Sequence, residues 1–361
     1  MDTPFDLLAW LRFTLAPRLT AAQRHDLLKA FETPDQAFNA SRAEIIRVIG
    51  EDGMQALAFD PDERVIDAAL QWIAEPNHHF VVRGSPAYPE RLSEIPDPPM
   101  ALYVQGRFEL LGAPSLAIVG SRNATTQGMR DAEAFAQAIS DAGLAVVSGL
   151  ALGIDAAAHR GGLRGEGSSL AVMGTGADRI YPPRNRELAH ELASSGALVS
   201  EFPLGTPPRP GNFPSRNRLI SGLARGVLVV EAAMESGSLI TARRAVAQGR
   251  DVFAIPGSIH TPLSKGCHQL IKDGAKLVDS AEDILDELRV PHAQTRGTRD
   301  SHGGSGDQLL DAMDGTPMSL DEIARRTGQA ASAIAARLTH LQIEGRIAAI
   351  AGGFYQRLHD A

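Results

Sequence analysis

The sequence predicts an α/β protein, a doubly wound parallel sheet carried between a small helical domain and a winged-helix domain. Three observations predict it. Six short apolar, β-rich runs begin near Leu116, Leu144, Leu170, Leu198, Val227 and Val252, with helix-period segments such as 130–142 and 241–248 between them. Strands buried on both faces read as continuous apolar runs, and parallel neighbours need helical crossovers. Helical periodicity without such runs precedes this region, and three short helical patterns with a hairpin follow it.

In order, residues 1–75 form the helical domain. Leu7, Leu8, Leu11 and Leu15, then Leu27, Leu28 and Phe31, then Ile45, Ile46 and Ile49 recur at helix spacing, with breaks at Pro17, Pro34 and Pro61. Ser41 with Glu44 three residues on is a capping box. Residues 76–290 form the central domain, opening with a proline-punctuated stretch whose apolar segments at 80–82 and 102–104 suit edge strands. Residues 291–306, rich in Gly, Ser, Thr and Arg, bury little and are expected to be a flexible linker. Residues 307–361 carry helical patterns at 309–313, 320–326 and 334–343. Ile347–Ala351, Gly352-Gly353 and Phe354-Tyr355 then suggest a hairpin, completing the order of a winged helix.

The 361 residues are 43% hydrophobic and 22% charged, a composition that excludes a mainly disordered or collagen-like chain. One cysteine, Cys267, supports neither an internal disulfide nor a Cys-rich zinc site. Met1 to Trp10 carry two aspartates and no basic residue, and no apolar run reaches membrane-span length. A cytoplasmic protein is expected. Net charge is −8, yet residues 207–250 hold seven arginines against two glutamates, a local +5. Seven basic against thirteen acidic residues give 1–75 a charge of −6, so phosphate binding belongs to the middle of the chain.

In an open parallel sheet, ligands bind outside the carboxyl ends of the strands. The runs end in Gly120-Ser121-Arg122, Ser148-Gly149, Gly174-Thr175-Gly176, Ser200-Glu201, Glu231 and Pro256-Gly257. Glycines and hydroxyls there let backbone N–H groups approach a phosphate, although tight turns need glycine in any such fold. Asp155 is read as a helix N-cap and His159 as a packing histidine. Glu201 and Glu231 are read as caps or ion-pair partners before catalysts. The run Phe213-Pro-Ser-Arg-Asn-Arg218, preceded by Arg209, combines a ring, cations and the Asn217 amide. Bases stack on such a ring while guanidiniums fork to phosphates. Arg122, Arg184 and Lys265, on other strand-end loops, extend the surface. Hydrolytic, Walker and zinc signatures are absent, so no catalytic residue, cofactor or metal is expected.

Seven motifs in this order resemble the DNA-processing protein A family (DprA/Smf). They are I-V-G-S-R at 118–122, S-G-L-A-L-G-I-D at 148–155 with His159, Y-P-P-R-N at 181–185 and S-E-F-P at 200–203. F-P-S-R-N-R-L-I-S-G-L at 213–223, V-E-A-A-M-E-S-G-S-L-I-T-A at 230–242 and G-R-D-V-F-A-I-P-G at 249–257 complete the set. The resemblance implies an extended Rossmann-like domain that binds single-stranded DNA without sequence preference, forms a homodimer and loads RecA recombinase during natural transformation. No catalytic step is implied. Arg122, Arg184, Arg209, Arg216 and Arg218 would contact phosphates, Phe213 would stack a base, and backbone groups at Gly120, Ser121 and Ser148 would assist.

The family's N-terminal module is SAM-like or helix-hairpin-helix. Here its expected turn, Ala16-Pro-Arg-Leu19, lacks glycine, so DNA binding is not expected of it. The expected recognition helix, 331–344, presents Arg337, His340 and Glu344, which suits a protein contact or modest duplex binding better than sequence reading. Leu263, Leu270 and Ile271 are candidates for the dimer contact. The alternative is a nucleotide-processing enzyme of the lysine-decarboxylase-like Rossmann group, a phosphoribohydrolase using Glu201 or Glu231, whose P-G-G-x-G-T-x-x-E string is absent. A regulatory adaptor acting through the end domains is a third reading.

Overall fold

The computed structural model describes residues 6–58, 60–292, 307–313, 317–350 and 352–358. Five helices come first: α1 (Leu7–Leu15), α2 (Ala21–Phe31), α3 (Pro34–Asn39), α4 (Arg42–Leu57) and α5 (Glu63–Ile73). The Ser41–Glu44 capping box opens α4, and a second one, Thr20–Gln23, opens α2. Each satisfies two backbone donors that a helix start leaves orphaned. Phe13, Leu27 and Ile45 meet in the core of this helical unit. Leu11, Ala69 and Trp72 instead bury against Tyr103 and Ala177, seating the helices on the sheet.

The sheet strands are β1 (His78–Val82), β2 (Ala101–Gly106), β3 (Ser115–Val119), β4 (Ala145–Ser148), β5 (Ser169–Val172), β6 (Ala197–Ser200), β7 (Gly226–Val229), β8 (Asp251–Ala254) and β9 (Lys276–Leu277). Their order is β1-β2-β6-β5-β4-β3-β7-β8-β9. From β6 to β9 all neighbours are parallel, whereas β2 runs antiparallel to both β1 and β6. All six expected central strands are present. The 102–104 segment is not an edge, because β2 lies between β1 and β6 with Leu102 and Val104 fully buried. β9, two residues long, gives no periodic signal in the sequence.

Alternate residues of each strand feed opposite layers. Ala117, Val119, Ala145 and Val147 join one core, and Leu116, Ile118 and Val146 the other. The crossovers α7 (Thr126–Asp141), α8 (Ile154–Arg164), α9 (Arg186–Ser195), α10 (Asn212–Leu223), α11 (Gly237–Ala247) and α12 (Lys265–Lys272), with α13 (Ala281–Glu287) after the last strand, cover both faces, while α6 (Glu90–Ser93) lies in the proline-rich stretch. From β3 the chain builds outward through β4, β5 and β6, then returns to place β7 on the other side of β3. That reversal opens a crevice above the carboxyl ends of β3 and β7.

The last unit comprises α14 (Gln308–Asp311), β10 (Met318–Ser319), α15 (Leu320–Thr327), α16 (Ala331–Ile343), β11 (Ile347–Ile350) and β12 (Phe354–Arg357). β12 pairs with both β11 and β10, and the two-residue β10 was not legible in the sequence. Leu309, Ile323, Ile334, Leu338 and Ile347 form its core. Three helices and a small antiparallel sheet make the winged helix. The expected linker lies, from 293 onward, outside the described residues. Among the described residues no helix is long and apolar enough to cross a membrane.

Candidate nucleic-acid interface

The crevice above β3 and β7 encloses about 720 Å³ and is lined by Gly120, Ser121, Arg122, Tyr181, Phe213 and Arg216 among others. The loop after β3 carries Arg122 to its mouth. This loop is pinned from β7: Glu231 accepts from the Thr125 backbone N–H at 2.9 Å and from its Oγ1 at 2.6 Å. Gly153 closes it from the other side with φ of +75°, and a Cβ there would stand 2.3 Å from the Ser121 carbonyl oxygen. Only glycine tolerates both the left-handed backbone and that approach. Arg122 is exposed, its guanidinium carbon 5.9 Å from the Phe213 ring centroid. Tyr181 lies on the same ring at 5.5 Å, with 44% of its surface exposed. A cation and two rings therefore converge on one wall.

Phe213 enters at the first turn of α10, where Asn212 Nδ2 donates to the Gly174 carbonyl at 3.0 Å. The ring packs so closely on Gly174 that a Cβ there would meet Cδ1 at 2.7 Å. The two later arginines of α10 point inward. Arg216, 4% exposed, forms the crevice floor, donating through Nη1 to the carbonyls of Gly149 at 2.8 Å and of Val172. Burial pulls its pKa down to about 10, Asp155 acts upward and Arg122 downward, so it remains a cation at neutral pH. Arg218 donates through Nη1 and Nη2 to both oxygens of Glu201 at 2.5 and 2.6 Å, and through Nε to the Asp97 carbonyl at 2.9 Å. Arg218 lines a separate cavity between the N-terminal helices and the sheet.

The loop after β4 is held by buried side chains. Asp155 lies inside the first turn of α8, whose N-cap is Gly153, so Asp155 is not the cap the sequence suggested. Its Oδ2 accepts from the N–H groups of Gly149 at 3.1 Å and Ala151 at 3.3 Å. Burial raises its pKa, against the opposing effect of Arg216 and these two donors. His159 Nε2 accepts from the Leu150 N–H at 3.2 Å, and Nδ1 lies 2.8 Å from Ser169 Oγ, which itself donates to the Val146 carbonyl. The three loop amides are thus bonded inside the protein. Ser148 is fully buried, its hydroxyl donating to the Ile118 carbonyl across the strands.

Burial depresses the His159 pKa to about 3. The unfolded chain, with histidine near 6.5, binds the proton first, so this stabilisation is complete above about pH 6.5 and is lost as pH falls towards 3. At ~1.4 kcal/mol per unit the full loss is on the order of 5 kcal/mol. Urea unfolding of wild type from pH 7 to 4 should show a falling midpoint. His159→Gln, which keeps an acceptor for Leu150, starts lower but shows a flatter pH profile.

Of the expected site residues, the structure brings Gly120, Ser121, Arg122, Phe213, Arg216 and Asn217 together in the crevice lining. Arg184, Arg209 and Lys265 are exposed around the crevice, Lys265 at the start of α12 and donating to the Ile259 carbonyl. Ser148 and Arg218 are not in the lining. Tyr181 and the positioning role of Glu231 went unread: Y-P-P-R-N contained the ring, but only the packed structure brings Tyr181 onto Phe213. In α16, Arg337 pairs with Asp307 at 2.8 Å and His340 with Glu344 at 3.0 Å. Among the described residues no group of three His, Cys, Asp or Glu could hold a metal ion.

The family model described as DNA recombination-mediator protein A matches residues 79–289, and the DprA winged helix domain model matches 297–353. Protein Smf of Escherichia coli is 44% identical over 306 residues, 82% of each chain. DNA processing protein DprA of Streptococcus pneumoniae is 50% identical over 201 residues, 56% of this chain and 71% of that one. Its X-ray structure superposes with a TM-score of 0.69 at 39% identity, covering 78% of this chain and 99% of that one. DNA processing protein A from Helicobacter pylori, whose structure is described for its single-stranded DNA binding mode, superposes with a TM-score of 0.54 at 28% identity over 58% of this chain and 96% of that one.

Proposed function

The chain belongs to the DNA recombination-mediator protein A family, and we propose that it binds single-stranded DNA without sequence preference in the crevice above β3 and β7. One observation carries the reading: an exposed guanidinium, Arg122, stands beside the Phe213 and Tyr181 rings in an open crevice. A cation for phosphate and rings for bases are what sequence-tolerant single-strand binding requires. The single-strand binding of the Helicobacter relative supports it. Arg184 and Arg209 extend the phosphate track, Lys265 lies at its margin, and Arg216 supplies a fixed positive floor.

In this reading the protein is cytoplasmic, uses no cofactor and performs no catalytic step. It delivers single strands to RecA recombinase during natural transformation and acts as a homodimer. Leu270 is core and Leu263 and Ile271 are half-buried, so a second copy would use the apolar side chains left in solvent late in this domain, such as Val246, Ile259 and Leu277. The phosphoribohydrolase alternative loses support because both of its carboxylates are engaged, Glu201 by Arg218 and Glu231 by Thr125.

The test is fluorescence anisotropy of labelled poly-dT across a salt series, with duplex as competitor. Wild type prefers the single strand and weakens steeply with salt. Arg122→Glu loses about tenfold or more in affinity, with a salt slope lower by ~0.7 for the lost phosphate contact. Unchanged binding in this folded variant removes the crevice from consideration.

A further inference from the structure

The opposite rim of the sheet holds a second cluster of cations. Arg225 and Arg250 immediately precede β7 and β8, whose register pairs Gly226 with Asp251, so the two arginines enter side by side. Each ties down a flanking segment. Arg225 Nη2 donates to the Leu288 carbonyl just after α13, and Arg250 Nη2 donates to the Arg91 carbonyl and to Glu94 Oε2, both at 2.9 Å. These ties bring Arg91 and Arg289 to the walls of a pocket of about 350 Å³. Arg289 is fixed by a left-handed turn, φ +54°, its N–H donating to the Asp286 carbonyl.

The charges here are incompletely matched. Arg250 has a side chain only 9% exposed, and its Nε is buried with no hydrogen-bond partner. Glu94, its one carboxylate partner, is mostly in solvent. Burial lowers the Arg91 pKa, and Arg250 and Arg225 lower it further, against Glu94 and Glu90. Of the two carboxylates in the lining, Glu287 is bonded to Lys276 at 2.7 Å, leaving Asp251 against four guanidiniums. A buried donor without a partner and a crowd of like charges both favour an incoming anion.

We propose that this rim is a phosphate-binding site, distinct from the crevice, that takes a phosphate group without reading a base. Planar guanidiniums fork to phosphate oxygens, and the pocket lining contains no ring on which a base could stack. β7 and β8 are four residues long, so roughly 13 Å of strand separates the two rims. Two sources offer such a phosphate, free solution and the backbone of a strand that continues past the crevice.

Isothermal titration with inorganic pyrophosphate tests the site in an Arg122→Glu background, which removes the crevice cation from the measurement. One site is expected, weakened about tenfold or more by Arg91→Gln with Arg289→Gln. These substitutions leave the Arg225 and Arg250 ties in place, and thermal melting verifies the fold. In the otherwise wild-type chain, the same pair is then titrated with long and short poly-dT across salt. If backbone fills the site, the salt slope falls by ~0.7 per lost phosphate contact for the long strand alone. If only free phosphate fills it, both slopes hold while pyrophosphate binding is lost. A parent that binds no pyrophosphate, or a variant that binds it equally, overturns the proposal whatever poly-dT does at the crevice.

Discussion

Phe213→Ala should weaken poly-dT binding by about 5- to 150-fold, the loss of roughly 1–3 kcal/mol expected when one base loses its aromatic platform. The ring is half-buried, with Gly174 beneath it and Arg122 and Tyr181 beside it. Truncation therefore removes both a stacking surface and some packing. Phe213→Leu separates these, since it refills the space against Gly174 without a π-face and should bind nearly as poorly as alanine. Phe213→Trp should retain most affinity. The salt slope of Phe213→Ala stays at the wild-type value because no phosphate contact is removed, opposite to the expectation for Arg122→Glu. If Phe213→Leu binds like wild type in anisotropy, the ring is a packing residue and the stacking role is withdrawn.

These contrasts rest on features that the sequence disclosed unequally. The parallel strands were legible because burial on both faces turns each into an uninterrupted apolar run, as in Leu116-Ala-Ile-Val119. β9 and β10 escaped because two residues carry no period. β2 was misread as an edge because its flanking prolines suggest one, whereas its pairing to β6 is a long-range contact. At the site, residue types identified arginines but not their direction. Arg216 and Arg218 lie two apart on α10, yet both are buried, one by carbonyls and one by carboxylates, because this helix packs inward beyond its first turn. Arg122 and Phe213 share a loop-to-helix rim that only the strand order brings together. Asp155 looked like a cap because it opens a helix after glycine. Its role became visible only when the folded loop put two amides against its carboxylate.

Arg218→Ala should destabilise the fold by about 3–5 kcal/mol, the cost of leaving a carboxylate buried without its counter-ion. Glu201, with a side chain 14% exposed, accepts both guanidinium nitrogens, and the other arginine lining that cavity, Arg24, is bonded to the carbonyls of Phe13, Thr14 and Ala16. Burial opposes the Arg218 charge, but Glu201 and Asp97 outweigh it and hold its pKa above the usual value. Removing the pair together is a different experiment. Arg218→Met with Glu201→Leu exchanges two desolvated charges for apolar groups of similar length and should recover most of the lost stability in urea unfolding. The double variant also decides what Arg218 does. If its guanidinium reaches a phosphate, the stable double variant binds poly-dT weakly and shows a reduced salt slope. If it serves to tie α10 to the end of β6 and to the proline-rich stretch, as its bonds to Glu201 and Asp97 indicate, affinity and slope both match wild type. Single-strand binding then rests on Arg122, Phe213 and the exposed loops around them.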